Sequence, residues 1–144
     1  MTDSKPQSGS WYGTGLGAAT SIKLLEELLR IEPLKRAALV MYGHKKIAAL
    51  GFPVLGWSRT EKDIPGVESL TGEDGLRRIV AESAILVCAL PLTPQTEDMF
   101  DAATLAAMPE GSYLINVGRG RQVVDEDLIA ALDSGHLAGA ALDV

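Results

Sequence analysis

The chain has very little cysteine, and this limits both its fold and its cellular compartment. Cys88 is the only cysteine among 144 residues, so no disulfide can form within the chain, and a lone thiol favours a reducing compartment such as the cytoplasm. It lies in the apolar run Ala84–Leu90, where we expect it to pack as a small core residue. No apolar run approaches the roughly 18 residues that a membrane-spanning helix needs, and no signal peptide is recognisable. We therefore predict a cytoplasmic protein that does not contact a membrane.

Basic residues, aromatic residues and histidines are also scarce. Thirteen Lys and Arg stand against 19 Asp and Glu, which gives a net charge of −6, and aromatic residues make up only 5% of the chain. No stripe of basic residues interleaved with aromatics occurs, so a nucleic acid is not an expected partner. Only two histidines, His44 and His136, are present. We predict no metal site, and we interpret His136 as a residue at a helix end.

What the chain does have, from residue 52 onward, is a regular alternation of apolar runs and amphipathic segments. Its length is that of one domain that can bury a core. We predict strands over Phe52–Trp57, Val67–Leu70, Ala84–Leu90, Ser112–Val117 and Gly139–Val144. We predict helices over Gly72–Ser83 and Asp125–Ser134, and one or two short helices within Thr96–Met108. Alternating strands and helices indicate the α/β class, here a partial Rossmann-type doubly wound parallel sheet with flanking helices.

The first 50 residues are less regular than the rest. Residues 1–12 are mostly polar, and we expect a disordered tail there. Residues 13–47 make an atypical segment with a helix over Ala18–Ile31 and a strand over Arg36–Tyr42. The remaining chain, residues 48–144, is predicted to be a partial dinucleotide-binding domain.

Two segments near the start are candidates for a phosphate-binding loop. The segment Gly13–Ala18 satisfies the pattern G-x-G-x-x-A and precedes a predicted helix, as a pyrophosphate loop does. The residues before it are polar and include Pro6, so no buried strand aims the loop, and we predict a flexible turn that holds no phosphate. The alternative, Tyr42–His44, has a single glycine. Only eight residues separate Gly43 from Phe52, fewer than the dozen or so of a full crossover.

The most informative segment is Leu114–Gly120, with the sequence LINVGRG. An apolar strand runs into a glycine-containing turn that holds Arg119. Ligands of open α/β sheets bind at the carboxyl ends of the strands, where this arginine is predicted to lie. A guanidinium group is always charged and can bind a carboxylate through two parallel hydrogen bonds. The pattern therefore indicates a site for a small carboxylate, although a structural ion pair is the alternative for Arg119.

Four segments, in order, resemble the cofactor domain of the D-2-hydroxyacid dehydrogenases, and most closely the glyoxylate/hydroxypyruvate reductase branch. They are Ala49–Arg59, Val87–Thr96, Leu114–Gly120 and Asp127–Val144. The resemblance covers about residues 48–144. It implies an NAD(P)H-dependent reduction of a small 2-keto acid, such as glyoxylate or hydroxypyruvate, to the 2-hydroxy acid.

The resemblance also implies roles for individual residues on the adenosine side of the cofactor. Ser58 and Arg59 match the position that receives the adenosine ribose. An arginine there indicates NADP, with NAD as the other candidate, because it can pair with the 2′-phosphate. A solvated surface arginine is the alternative. Leu90, Pro91 and Thr93 match the loop that passes the ribose and adenine, although Pro91 is equally explained as the end of a strand.

On the nicotinamide side, the resemblance implies roles for four further residues. Asn116 and Val117 match residues that line the nicotinamide, and Asp143 matches the acid that orients its carboxamide. Asp143 has a strand-end cap as its alternative. Arg119 matches the catalytic arginine that holds the substrate carboxylate and polarises the keto group.

The sequence also departs from the family pattern. Lys35 stands where the family's glycine fingerprint is expected, and the family's acid–base His and Glu would fall after Asp143. The N-terminal part of its substrate domain is not recognisable in residues 1–45. We therefore expect a truncated enzyme that is inactive alone. One alternative is a non-catalytic nucleotide-binding or protein-interaction module assembled through open sheet edges. Another is a fragment stable only as a homo-oligomer.

Overall fold

The computed structural model of the chain describes residues 11–12, 37–40 and 53–142. Seven strands lie within these residues: β1 (Trp11–Tyr12), β2 (Ala37–Val40), β3 (Val54–Trp57), β4 (Val67–Leu70), β5 (Ile85–Cys88), β6 (Ser112–Asn116) and β7 (Leu137–Leu142). They form one sheet in the order β1-β7-β6-β5-β2-β3-β4, and every neighbouring pair is parallel. From β2 onward this is the strand order of doubly wound dinucleotide-binding folds. The predicted α/β Rossmann-type class is confirmed.

Strand β5, which was predicted from an apolar run, is buried on both faces of the sheet. All four of its residues are buried, and alternate side chains enter different clusters. Leu86 and Cys88 belong to the larger cluster, whereas Ile85 and Val87 belong to a second cluster on the other face. Since successive side chains of a strand point to opposite faces, a continuous apolar run is what such a central strand requires.

Three α-helices lie among the described residues: α1 (Gly72–Glu82), α2 (Ala102–Ala107) and α3 (Asp125–Asp133). A short 3-10 helix, Gly120–Gln122, precedes α3. Buried residues of all three α-helices join the larger cluster, among them Ile79, Leu105 and Leu128. Helix α3 ends just before Gly135, whose φ of +77° is the left-handed conformation that favours glycine at this position. The helices therefore cover the face of the sheet that carries Leu86.

The stretch Thr96–Met108, predicted to hold one or two short helices, contains one α-helix, α2. Residues 94–98 form turns instead, and Asp98 has a positive φ of 53°, which a continuous helix does not allow. The Asp101 carboxylate then starts α2 by accepting a hydrogen bond of 2.9 Å from the Thr104 backbone N–H. This hydrogen bond lowers the pKa of Asp101, because it stabilises the charged carboxylate.

Strand β2 lies inside the sheet, between β3 and β5, and is shorter than the predicted strand Arg36–Tyr42. Because β2 ends at Val40, thirteen residues, 41–53, connect it to β3. That is enough for a parallel crossover of about a dozen residues, so the expectation that the connection is too short was wrong.

Other predictions for the first 50 residues remain open. The helix over Ala18–Ile31, the glycine turn Gly13–Ala18 and the segment Tyr42–His44 lie outside the described residues. Trp11 and Tyr12 of the expected tail pair with β7, and β2 lies upstream of residue 48. The division of the chain at residues 12 and 47 stays a prediction. None of the helices in the described ranges has the length and apolar character that a membrane crossing requires.

Candidate functional site

A cleft of about 760 Å³ opens where β3 and β5 end. Its lining residues come from the two loops that follow these strands: Trp57, Ser58, Arg59, Thr60, Lys62, Leu90, Pro91, Thr93, Pro94, Gln95 and Thr96. This is the carboxyl edge of the parallel sheet, where doubly wound proteins bind their ligands. The structure thus brings together five of the eight predicted cofactor-binding residues, namely Ser58, Arg59, Leu90, Pro91 and Thr93.

The wall of the cleft that follows β3 is fixed by its backbone and carries two cations. Ser58 is buried, and its Oγ donates a hydrogen bond of 2.6 Å to the carbonyl oxygen of Thr60. The Lys62 backbone N–H donates to Ser69 Oγ on β4 at 3.0 Å. The side chains of Arg59 and Lys62 are exposed, and neither forms an ion pair with a described residue. No Asp or Glu is among the described residues that line the cleft, so this wall carries positive charge.

The opposite wall, after β5, is mainly apolar and is held by a threonine. Leu90 is buried, Pro91 is exposed and Thr93 is half-buried. Thr96 Oγ1 donates a hydrogen bond of 2.7 Å to the Pro91 carbonyl and accepts one of 2.8 Å from the Thr93 N–H. These two bonds close the loop into a turn. An apolar wall facing a cationic one suits a ligand that combines an aromatic ring with an anionic group.

The turn after β6 lies next to the end of β5, because the two strands are neighbours in the sheet. Asn116 is fully buried, its Oδ1 accepts from the Gly118 N–H at 3.0 Å, and its Nδ2 donates to the Arg119 carbonyl at 2.9 Å. Val117 is half-buried, and its N–H donates to the Cys88 carbonyl at 2.8 Å. The Asn116 amide therefore holds the shape of the turn that presents Arg119.

Arg119 is exposed at this edge of the sheet. Its guanidinium donates one hydrogen bond of 2.9 Å to the Gly118 carbonyl and forms no ion pair with any residue that the structure describes. The structural ion pair considered for Arg119 is therefore not seen among the described residues. A guanidinium with most of its donors unused can bind a carboxylate from solution.

Gly118 is required at its position by close packing. A Cβ atom there would overlap Gln122 Oε1, lie 2.7 Å from the Leu90 carbonyl oxygen and lie 3.2 Å from Asn116 Oδ1. Gly118 does not have a positive φ, so the constraint is space and not backbone conformation. The glycine of the LINVGRG segment thus lets the β5 and β6 loops come into contact.

Gln122 is a site residue that the sequence did not reveal. It lies between Arg121 and Val123 and gave no signal of burial, yet it is 0% exposed. Its Nε2 donates to the carbonyls of Leu90 and Pro91, and its Oε1 accepts from the Arg119 N–H. Burial raises the pKa of Cys88, whose thiol also contacts Oε1, to about 11.

Two residues considered from the sequence are not brought to this edge by the described part of the structure. His136 precedes β7 at the amino edge of the sheet, where its ring Nε2 lies 3.1 Å from the Leu105 carbonyl. Asp143 lies outside the described residues, so its predicted role stays a prediction. Among the described residues no cluster of three His, Cys, Asp or Glu side chains could hold a metal ion.

Comparison with protein families identifies most of the chain. Residues 43–144 match the NAD binding domain of the D-isomer specific 2-hydroxyacid dehydrogenases. A curated relative, glyoxylate/hydroxypyruvate reductase A of Salmonella heidelberg, is 44% identical over 100 residues. The match covers 69% of this chain and 32% of the relative, so the chain spans about a third of the length of such relatives.

Solved structures of similar proteins share the fold. A D-isomer specific 2-hydroxyacid dehydrogenase of Xanthobacter autotrophicus, in complex with NADPH and MES, has a TM-score of 0.73 and 39% identity, over 85% of this chain and 44% of that one. An NADPH-dependent glyoxylate/hydroxypyruvate reductase of Sinorhizobium meliloti, in complex with NADP and sulfate, has a TM-score of 0.69 and 31% identity, over 87% of this chain and 47% of that one.

Proposed function

Because the chain belongs to the D-isomer specific 2-hydroxyacid dehydrogenases through their NAD binding domain, we propose that its cleft binds NADP and that Arg119 binds a small 2-keto acid. The substrate class is that of glyoxylate and hydroxypyruvate, as in the name of the curated relative. The bound nicotinamide supplies a hydride to the keto carbon of such a substrate. The residues of this chain hold and orient the two reactants.

The observation that carries the proposal is the charge of the cleft. Arg59 and Lys62 lie on one wall, where neither they nor the other described lining residues include an ion-pair partner or a carboxylate. The adenosine 2′-phosphate of NADP supplies the anion that this wall lacks. Leu90 and Pro91 on the opposite wall offer an apolar surface to the adenine ring. The bound NADPH and NADP of the two relatives support the same choice of cofactor.

Arg119 is the proposed catalytic residue. Its unused guanidinium donors bind the substrate carboxylate, and its charge polarises the neighbouring keto oxygen, where negative charge develops during reduction. Asn116 fixes the backbone on both sides of Arg119 through its two hydrogen bonds. From the family resemblance, we propose that Asn116 and Val117 line the nicotinamide ring.

Calorimetry with NADPH and NADH tests the cofactor assignment. We expect NADPH to bind more tightly, and Arg59→Ala to weaken NADPH binding by about 10–100-fold, since charge-assisted hydrogen bonds contribute roughly 1.5–3 kcal/mol. Arg77→Ala is the matched control, because Arg77 is an exposed arginine on α1 that pairs with Glu73 and Asp74 and does not line the cleft. Equal affinities for the two cofactors, or an unchanged preference in Arg59→Ala, would contradict the assignment.

Oxalate, a stable dicarboxylate, tests the role of Arg119. In the presence of NADPH we expect Arg119→Ala to abolish measurable oxalate binding. Arg119→Lys should weaken it about tenfold, because lysine keeps the charge but not the paired donors. NADPH binding itself should change little in both variants. Oxalate binding that survives Arg119→Ala would place the carboxylate site elsewhere.

We further propose that these 144 residues alone do not turn over glyoxylate. Reduction needs a proton donor beside the developing alkoxide, and losing one costs about 10²–10⁴ in rate. The one described histidine, His136, lies at the opposite edge of the sheet. The assay is NADPH oxidation by a concentrated sample. Turnover above about 1 s⁻¹ that disappears in Arg119→Ala would refute this proposal.

Binding without turnover is also what a non-catalytic nucleotide-binding module would show. Strand β4 favours assembly in that case, because it pairs with β3 alone among the described strands and so leaves one edge free. Homo-oligomers are the expected assembly, and sedimentation velocity tests it. A monomer at all concentrations would contradict assembly through this edge.

A further inference from the structure

We propose that Gln122 is a positioning residue that fixes Arg119 relative to the loop Leu90–Thr93. The inference rests on the proposed function, because the role of Gln122 would be to align a carboxylate substrate with the cofactor. Gln122 belongs to neither predicted binding set. It is fully buried between the two loops that carry the proposed ligand contacts.

The side-chain amide of Gln122 has partners on both loops. On the β5 side, its Nε2 donates hydrogen bonds of 2.8 Å and 3.1 Å to the carbonyls of Leu90 and Pro91. On the β6 side, its Oε1 accepts a hydrogen bond of 2.9 Å from the Arg119 N–H. One rigid, planar group therefore holds both the backbone that leads to the apolar cleft wall and the backbone that carries the guanidinium.

The backbone of the same residue adds a third connection. The Gln122 carbonyl accepts a hydrogen bond of 2.9 Å from the Phe100 N–H, and the Val124 N–H donates to the Phe100 carbonyl at 3.2 Å. Residues 100 and 123 thereby form an isolated parallel bridge. The far end of the β5 loop is thus hydrogen-bonded to the segment that holds Gln122. The Gln122 side chain therefore cannot move with one loop unless the other loop moves as well.

A buried amide in this position does more than fill space. An apolar residue of similar length would occupy the same volume but would leave the Arg119 N–H and two carbonyls without this partner, which is unfavourable for buried groups. Gly118 completes the arrangement, because only a residue without Cβ lets Gln122 Oε1 and the Leu90 carbonyl approach its Cα. Small shifts between reactants cost large factors in rate, so a fixed distance between the two loops is useful for hydride transfer.

The first test uses Gln122→Met, which keeps the length of the side chain and removes the amide. We measure backbone amide exchange by NMR in the full chain. We expect exchange to rise about tenfold at Arg119 and also at Thr93, Thr96 and Glu97 in the other loop. Loop amides exchange through local opening, so the rate reports the coupling between loops directly. Faster exchange at Arg119 alone, or at neither loop, would overturn the proposal.

Gln122→Glu distinguishes the hydrogen bond accepted by the Gln122 side chain from those that it donates. It also provides a second test if Gln122→Met does not fold. A carboxylate can still accept from the Arg119 N–H but cannot donate to the carbonyls of Leu90 and Pro91. We expect Arg119 to stay protected while the β5 loop exchanges faster. Loss of protection at Arg119 as well would contradict the assigned hydrogen bonds.

Ligand binding then distinguishes positioning from a general loss of stability. Leu137→Ala is the control, because Leu137 is a buried core residue at the amino edge of the sheet, away from both loops. We expect Gln122→Met to weaken NADPH and oxalate binding about tenfold each, and Leu137→Ala to leave both unchanged. Equal losses in the two variants would overturn the positioning role. If the native chain binds neither ligand, the proposed function fails, whereas the exchange data still decide whether Gln122 couples the loops.

Discussion

The two loops that carry the candidate cations are built in different ways. In the segment Ser58–Lys62, after β3, the backbone is anchored to β4 but the cationic side chains extend into solvent without ion-pair partners in the described structure. In the segment Asn116–Gln122, after β6, two fully buried amides hold the backbone from both sides. Two exposed arginines project from it, and only Arg121 has an ion-pair partner among the described residues, Glu97.

This difference separates recognition from alignment. Exposed, unpaired cations can select an anionic group, and a single substitution there changes affinity without disturbing the fold. Alignment needs a backbone that does not move, and buried hydrogen bonds provide that because breaking them leaves unsatisfied polar groups. We therefore expect substitutions in the first segment to change cofactor preference. Substitutions in the second segment should change stability and ligand geometry together.

Gly118→Ala should have the largest effect, because it breaks the second segment at its closest contact. The added Cβ would meet Gln122 Oε1 and the Leu90 carbonyl, so the two loops must separate. We expect a loss of roughly 2–3 kcal/mol in urea unfolding, at the upper end for overpacking, together with loss of oxalate binding. Gly135→Ala is the control, since open space surrounds Gly135 and only its positive φ opposes a side chain. An effect no larger than that of the control would contradict the close packing around Gly118.

The Cys88 thiol reports the integrity of the same segment. Burial raises its pKa to about 11 from 9.0, so at pH 8 the reactive thiolate should be about 100-fold less populated than in the unfolded chain. Alkylation by iodoacetamide should be slow in the folded protein, rise with pH, and accelerate in Gln122→Met. Mass spectrometry measures the rate, and Cys88→Ala is the blank. Alkylation of the folded protein at the unfolded rate would show that the segment opens freely.

Lys62→Ala should produce a smaller change, confined to cofactor affinity. Its side chain lines the cleft beside Arg59 but is exposed, so we expect NADPH binding to weaken only about threefold to fivefold, with NADH binding unchanged. Added salt should reduce the difference, because exposed charges are screened. Calorimetry at low and high ionic strength measures both. A large effect that is insensitive to salt would indicate that Lys62 binds the cofactor through a buried contact. The two segments would then not differ in the exposure of their ligand contacts.

Asp101→Ala should have the smallest effect on ligands and serves as a reference outside both segments. Asp101 caps α2, and we expect a loss of about 1 kcal/mol at pH 7 with no change in NADPH binding. Its pKa is lowered in the folded state, so the stabilisation is present above the ordinary carboxyl pKa near 4 and disappears as the pH falls through the lowered value. Urea unfolding at pH 7 and pH 3 checks this. An equal loss at both pH values would contradict a charged cap.

Much of the fold was predictable because its signals are local. The strand Val67–Leu70 has the predicted bounds, and β5, β6 and α3 differ from prediction by one or two residues at their ends. Strand ends depend on which residues find a hydrogen-bonded neighbour, so apolar runs overestimate strand length, as Arg36–Tyr42 shows for β2. No local sequence pattern indicated the left-handed backbone conformation of Asp98, which interrupts the stretch Thr96–Met108.

The candidate site likewise contains residues that local motifs reveal and one that only long-range contacts reveal. Arg119 and the cleft residues could be proposed because short motifs place them at the carboxyl ends of strands, and the parallel order of those strands brings the ends to one edge. Gln122 could not be found in this way. Its burial depends on carbonyls of residues 90 and 91, more than 30 positions earlier in the chain.

The sequence by itself determined the alternation of apolar strands and amphipathic helices, the family, and the motif that places an arginine after a buried strand. These follow from side-chain polarity and spacing, which act over a few residues. Only the tertiary structure decided that the loops after β3 and β5 face each other across a cleft, that β2 lies between those strands, and that a buried glutamine joins Arg119 to Leu90. Those contacts form between distant segments, so their geometry depends on how the whole sheet packs and not on any local pattern.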